Sequence, residues 1–212
     1  SRYTRQSTWS ERIIMSHLPK EAVLEALRCC RDVYPHDQDF LVSRKVAGHT
    51  ILAVEGTNET TDWITNLKFL IKRDDCHRGF KNNANRTLAQ LVVAYEGLNP
   101  ERKLVIAGHS LGGATATLIA DLLWESGNTN VALVTAGSPR PGGRRLRKRI
   151  KDLEHLRFVH GDDIVPGTPP WLAGYVHTHP KIQLKDEKDT KFDGVADHNM
   201  GSYYDAAVKY YK

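Results

Sequence analysis

Cysteine is scarce. Three occur, Cys29, Cys30 and Cys76, and two of them are adjacent, so there is no even, spaced set of the kind that staples small secreted scaffolds. The sequence leaves open one kind of pairing, from Cys76 to Cys29 or Cys30. Long apolar runs are missing too. The opening segment SRYTRQSTWSERIIMSHL is polar and lacks the apolar stretch of a signal peptide, and no later run is long enough to cross a bilayer. The chain as given reads as soluble, and its start at Ser1 without a methionine leaves the compartment open. There is no repeat, low-complexity tract or Pro/Gly/Ser-rich linker to divide it.

What is present is enough for one sizeable core: 212 residues, 40% of them hydrophobic, suit a single domain over residues 1–212. Two acceptor sequons, at Asn58 and Asn85, would matter only in a eukaryotic secretory route. Strand-like and helix-like segments alternate. PKEAVLEALRCCRDVY, residues 19–34, reads as a helix with proline in its first turn, and HTILAV, residues 49–54, as a strand that runs up to Gly56. A helix is predicted over residues 83–95 and a last short one over 205–212. KLVIA (103–107), VALVT (131–135) and HLRFVH (155–160) are β-rich and apolar on both faces. The prediction is an α/β fold with a mostly parallel central sheet covered by helices on both faces.

Within LVIAGHSLGGATATLIADLL a buried strand ends at Ala107, residues 108–112 turn, and a helix is predicted over residues 113–125. Small residues on both sides of Ser110 suit a nucleophile elbow: Gly108 and Gly112 let strand and helix pass closely, and the helix N-terminus directs N–H groups at a developing oxyanion. Serine is a weak nucleophile, so a histidine must take its proton and an acid must orient that histidine. In α/β-hydrolases both follow the serine in the chain. In RFVHGDDIVPGTPP a strand-like run ends at Asp162 and Asp163, and Asp163 is the first choice of acid with Asp162 second. His198, in a loop that enters the last helix, is the best of ten histidines for the base. His177 and His179 fall in the strand-like YVHTHPKIQL, and His177 reads as structural. The N–H of Leu111 and the backbone and hydroxyl of Thr57, just past Gly56, are the candidate oxyanion donors.

The segments EGTNETTDWITNL, CHRGF, AGHSLGGA, TAGSPRPGG, RFVHGDDIVPGTPP, GYVHTHPKIQL and DHNMGSYY, in this order, cover most of residues 46–204. They resemble the fungal-type triacylglycerol lipase family, the class 3 lipases of the α/β-hydrolase fold. The resemblance implies Ser110 as nucleophile, Asp163 as acid because it precedes Ile164-Val165-Pro166, His198 as base, and Thr57 with Leu111 as oxyanion donors. It implies a serine carboxylic-ester hydrolase acting on acyl-ester lipids through an acyl-enzyme, with no metal or organic cofactor. Phospholipase A1, monoacylglycerol hydrolase and lipid-amide hydrolase use the same triad, so the ester stays open. Glu55 stands where the family often has arginine, and the stretch between Trp63 and His77 is shorter than in the secreted fungal lipases.

Two further readings rest on other features. A hydrolase scaffold without activity could serve as a binding module. The run RRLRKRIK (144–151), in a chain of net charge +5, suits a solvated helix face or an anionic membrane surface more than nucleic acid, because no stacking aromatic set accompanies it. Finally, DWITNLKFLIK (62–72) places Trp63, Ile64, Leu67, Leu70 and Ile71 on one helical face, which suits either core packing or a short lid and substrate rim.

Overall fold

The computed structural model describes residues 17–34, 40–56, 78–94, 103–185, 194 and 196–212. Thr57, the Trp63, Ile64 and Leu67 stripe, and Cys76 lie outside the described residues. Among the described residues, six strands form one sheet in chain order: β1 (Phe40–Val46), β2 (His49–Val54), β3 (Leu104–His109), β4 (Val131–Ala136), β5 (Glu154–His160) and β6 (Lys181–Leu184). β1 and β2 form an antiparallel hairpin. Its turn residues Ala47 (φ 47°) and Gly48 (φ 77°) are both left-handed, as the twist of a tight hairpin requires. Every later pair is parallel.

The helices are α1 (Lys20–Asp32), α2 (Arg78–Ala94), α3 (Leu111–Glu125), α4 (Arg144–Arg149) and α5 (Met200–Tyr210). From β2 to β6 the sheet grows in one direction. Right-handed crossovers that keep stepping the same way put their helices on one face. That face holds α2, α3 and α4, with Ala84, Ile119 and Leu146 against Leu52, Ile106 and Leu133. The other face is left to the helices outside the crossovers, and α1 and α5 cover it with Leu27, Cys30 and Tyr203 against Ile51, Val105, Val134 and Phe158. Neighbours along a strand, such as Ile51 and Leu52, thus serve opposite cores.

HTILAV forms a strand with the bounds read from the sequence. Elsewhere the bounds differ for local reasons. The last helix starts at Met200, because Asn199 Oδ1 accepts from the N–H groups of Gly201 and Ser202 at 2.8 and 3.3 Å and caps it there. YVHTHPKIQL contributes a strand only at Lys181–Leu184. Val176 makes a lone bridge to Gly142, and Pro180 cannot donate to a ladder, so His177 and His179 lie in a loop. Cys29 and Cys30 stand as buried thiols on the sheet-facing side of α1. Cys29 Sγ lies 3.7 Å from Glu25 Oε1, and burial pushes the Cys30 thiol up.

Desolvation holds three histidines neutral. His109 and His155 are pushed well below the ordinary histidine value, and His177 is pushed down to about 3 from 6.5. The unfolded chain therefore binds protons below about pH 6.5 that the native chain refuses, so stability rises with pH through this window and falls as the medium is acidified. Urea unfolding followed from pH 7 to 4 should show this decline. His177→Gln should reduce its slope by up to one proton per molecule, and an unchanged slope would mean that native His177 is protonated over the range.

Candidate active site

The candidate residues gather beyond the C-terminal ends of the parallel strands, where open α/β sheets bind ligands. Ser110 follows β3, Gly137 follows β4, Asp163 lies in the loop after β5, and His198 ends a short 3-10 turn, Ala196–His198, after β6.

Ser110 alone separates β3 from α3, and its backbone sits at φ 56°, ψ −129°. A left-handed φ at a non-glycine residue stores about 1–3 kcal/mol and persists only where the surroundings over-determine it. Here the Ser110 N–H donates to the Ala136 carbonyl at 3.1 Å, and its own carbonyl accepts from the Gly113 N–H at 3.0 Å. A side chain at Gly108 would overlap the Gly112 carbonyl, and one at Gly112 would overlap the Val54 carbonyl. The missing Cβ atoms allow helix and strand to start from the same residue. Leu111 opens α3, so its N–H is one of the donors that the helix leaves unpaired. On the far side the β2 loop reaches the elbow at Gly56, where a Cβ would sit 2.8 Å from the His109 carbonyl. Thr57 follows, beyond the described residues.

His198 Nδ1 lies 2.7 Å from Asp163 Oδ2. A carboxylate only accepts, so Nδ1 is the donor, and in the neutral imidazole Nε2 is the nitrogen with the lone pair. Asp163 Oδ2 also accepts from Tyr203 Oη at 2.6 Å, and Oδ1 from the Val165 N–H at 2.9 Å. Three donors thus satisfy a carboxylate removed from water. Burial, then the Asp163 charge, pushes the Tyr203 hydroxyl well above its usual range, so it stays a donor. Of the adjacent aspartates, Asp162 keeps an exposed side chain, and its N–H donates to Asp197 Oδ2 at 2.7 Å. His177 Nε2 lies 2.8 Å from the Pro166 carbonyl, and His179 Nδ1 lies 3.3 Å from His155 Nδ1. Ser110 Oγ and His198 Nε2 are both buried and have no hydrogen-bond partner among the described residues.

Several residues around this pair had no role in the sequence reading. Tyr203 is one. Gly137 (φ 58°) is another: a Cβ there would lie 2.8 Å from Asp163 Oδ2 and 2.9 Å from His198 Cε1, so its bare backbone floors the Asp–His pair. Arg140 donates from its N–H to the Thr168 carbonyl at 2.6 Å and from its guanidinium to the Pro169 carbonyl at 2.6 Å and the Gly167 carbonyl, which straps the loop after Asp163. Asp197 joins the turn before Asp163 to the turn that carries His198. A glycine directly after a buried strand and a tyrosine one turn into the helix after the histidine were the available signals.

Comparison with known proteins places this geometry. Residues 51–173 match the family model Lipase (class 3), more than half of the chain's 212 residues. The chain belongs to the class 3 lipase family. It is 37% identical over 145 residues to the secreted mono- and diacylglycerol lipase 1 of Fusarium solani, over 63% of this chain and 43% of that one. The native propeptide complex of Rhizomucor miehei lipase shares the fold, with a TM-score of 0.64 and 22% identity over 93% of this chain and 82% of that one. So does a triacylglycerol lipase whose catalytic centre is a serine protease triad, with a TM-score of 0.58 and 23% identity over 86% and 83% of the two chains. The chain spans less than half the length of the curated relatives it matches.

Gly137→Ala should lower stability by about 1 kcal/mol or more, because a new Cβ at φ 58° would crowd Asp163 Oδ2 and His198 Cε1. Tyr203→Phe leaves Asp163 one donor short and should lower stability by about 1.5–3 kcal/mol. Urea unfolding of the two variants checks these, and wild-type stability in Gly137→Ala would contradict the packing argument.

Proposed function

We propose that this class 3 lipase-family chain is a serine carboxylic-ester hydrolase that cleaves acyl esters of lipids, with Ser110 as nucleophile, His198 as base and Asp163 as the carboxylate that orients it. One observation carries the reading. A strained elbow holds Ser110 Oγ buried and unpartnered among the described residues, and His198, tied to Asp163, keeps Nε2 buried and unpartnered as well. Unsatisfied buried polar atoms destabilise a fold. A nucleophilic oxygen and a basic nitrogen are the two such atoms that acyl transfer needs.

As Ser110 Oγ attacks the ester carbonyl, His198 Nε2 takes its proton, and Asp163 stabilises the imidazolium without taking the Nδ1 proton. The tetrahedral oxyanion receives the Leu111 N–H and, in this reading, the Thr57 backbone and hydroxyl, each donor contributing about 3–4 kcal/mol. Collapse expels the alkoxide, which leaves as an alcohol with the Nε2 proton, and Ser110 is acylated. Water, deprotonated by His198, then attacks the acyl carbon, and the fatty acid leaves as Ser110 regains its proton. The name of the Fusarium relative supports acylglycerols as the substrate class. The Trp63, Ile64 and Leu67 stripe serves this reading as the rim of the acyl site.

A contact with lipid surfaces accompanies this reading. Trp171 and Leu172 are 67% and 79% exposed in a turn that follows the Asp163 loop, and Ile164 is exposed beside Asp163 itself. The bridge between Gly142 and Val176 joins this turn to the approach to α4, where Arg144, Arg145, Arg147 and Lys148 are exposed. Arg149 is committed elsewhere, to Asp121 at 2.6 Å. Apolar side chains that insert at the headgroup level beside a cationic helix suit an anionic lipid surface.

Ser110→Ala should abolish hydrolysis of p-nitrophenyl butyrate and of a dispersed diacylglycerol while its thermal melt stays within a few degrees of wild type. Activity within tenfold of wild type would overturn the nucleophile assignment. Binding to vesicles containing phosphatidylserine should exceed binding to neutral vesicles, weaken with salt, and drop in Trp171→Ser/Leu172→Ser. Equal binding to both vesicle types, or stronger binding to DNA, would remove the lipid-surface reading.

A further inference from the structure

His109, the residue before Ser110, is buried, and both of its ring nitrogens are engaged. Nε2 lies 2.9 Å from the His198 carbonyl, which can only accept, so Nε2 carries the proton. Nδ1 is then the acceptor, and Tyr34 Oη donates to it at 2.6 Å. The ring lies 4.6 Å from the His198 ring, centroid to centroid, with an interplanar angle of 31°. Tyr34 and Tyr203 meet it edge-on at 5.8 and 5.7 Å. Burial, then the nearness of His198, keeps His109 neutral. With no free lone pair and no tendency to charge, His109 is not a second base.

The carbonyl it holds has no place in α5. The helix ladder begins with the Asn199 carbonyl, which accepts the Tyr203 N–H at 3.2 Å, so the His198 carbonyl lies one residue outside it. The Tyr34 hydroxyl also lies where a side chain at Gly56 would be, at the entry to the Thr57 loop. One chain of two hydrogen bonds therefore runs from Tyr34, just past α1, through the residue before the proposed nucleophile, to the main chain of the proposed base.

We propose that His109 is a positioning residue that sets the place of His198 over the elbow, and that Tyr34 fixes the tautomer it needs to do so. The inference rests on the triad reading given above. It assigns the histidine of the GHSLG turn a task distinct from fitting the turn: its Nε2–H ties the base to the same strand end that presents Ser110. A displacement of the base by a fraction of an ångström lowers turnover without changing substrate binding.

The test compares His109→Asn, His109→Gln and Tyr34→Phe, using a soluble p-nitrophenyl ester and counting active sites by complete labelling with a fluorophosphonate. A glutamine amide nitrogen reaches about where Nε2 stands, whereas an asparagine amide reaches only to the Nδ1 position. His109→Asn should lower kcat per labelled site about tenfold or more with KM changed less than about threefold, and His109→Gln should regain most of that loss. Tyr34→Phe removes one oxygen and keeps the packing. It should lower kcat about threefold with KM unchanged, and it carries the test if His109→Asn does not fold. Equal kcat losses in the asparagine and glutamine variants, or a wild-type kcat in Tyr34→Phe, would overturn the proposal. Ser110→Ala run alongside separates the two levels. If it still turns over ester, the triad reading fails; if it is inert while His109→Asn matches wild type, only the role of His109 fails.

Discussion

The site depends on one constraint: a strand and a helix must meet at a single residue, Ser110, held in a backbone conformation that side-chain-bearing residues avoid. The strain is of the order of 1–3 kcal/mol, and no local preference of serine offsets it. What holds it is the parallel sheet on one side, through the Ala136 carbonyl, and the first turn of α3 on the other, through the Gly113 N–H. Both partners are available only because Gly108 and Gly112 leave room for α3 to lie against β3 and β2. Relaxing Ser110 would require α3 to withdraw from the core, where Ala114, Ile119 and Ala120 are fully buried.

Around that elbow, groups that would be costly to bury singly satisfy one another. The Asp163 carboxylate takes three donors from three sources: the side chain of His198, the hydroxyl of Tyr203 on α5, and the backbone of its own loop. The Asp197 carboxylate takes the Asp162 N–H, and the His109 ring takes the Tyr34 hydroxyl and gives to the His198 carbonyl. His109, Asp162 and Asp197, the residues immediately before Ser110, Asp163 and His198, thus each make a bond between loops. In a medium of low dielectric such networks are rigid when complete and expensive when broken. Beside this network, Ser110 Oγ and His198 Nε2 are buried with no hydrogen-bond partner among the described residues.

The sequence was most legible where local pattern and long-range packing agree. HTILAV and the runs at residues 103–107, 131–135 and 155–160 are apolar on both faces because both faces are covered, and each became a parallel strand. It was least legible where a single contact decides an end or a pairing. β1 carries Ser43, Arg44 and Lys45 in its middle and its turn has no Asn-Gly or Asp-Gly signal, so it escaped a reading of periodicity. The early start of α5 rests on one asparagine side chain. The stretch from Thr57 to Cys76, with the proposed oxyanion threonine and rim, lies outside the described residues.

Sequence by itself determined the class of fold, the family, and the small-residue pattern around Ser110, because these depend on residue type and spacing along the chain. Tertiary structure alone decided that Tyr203 and Gly137 border the Asp163–His198 pair and that His109 bonds the His198 carbonyl. Those contacts join residues 26 to 89 positions apart in the chain, from Gly137 with Asp163 to His109 with His198. They follow from the hydrogen-bond and burial demands of loops that meet only after the sheet has assembled.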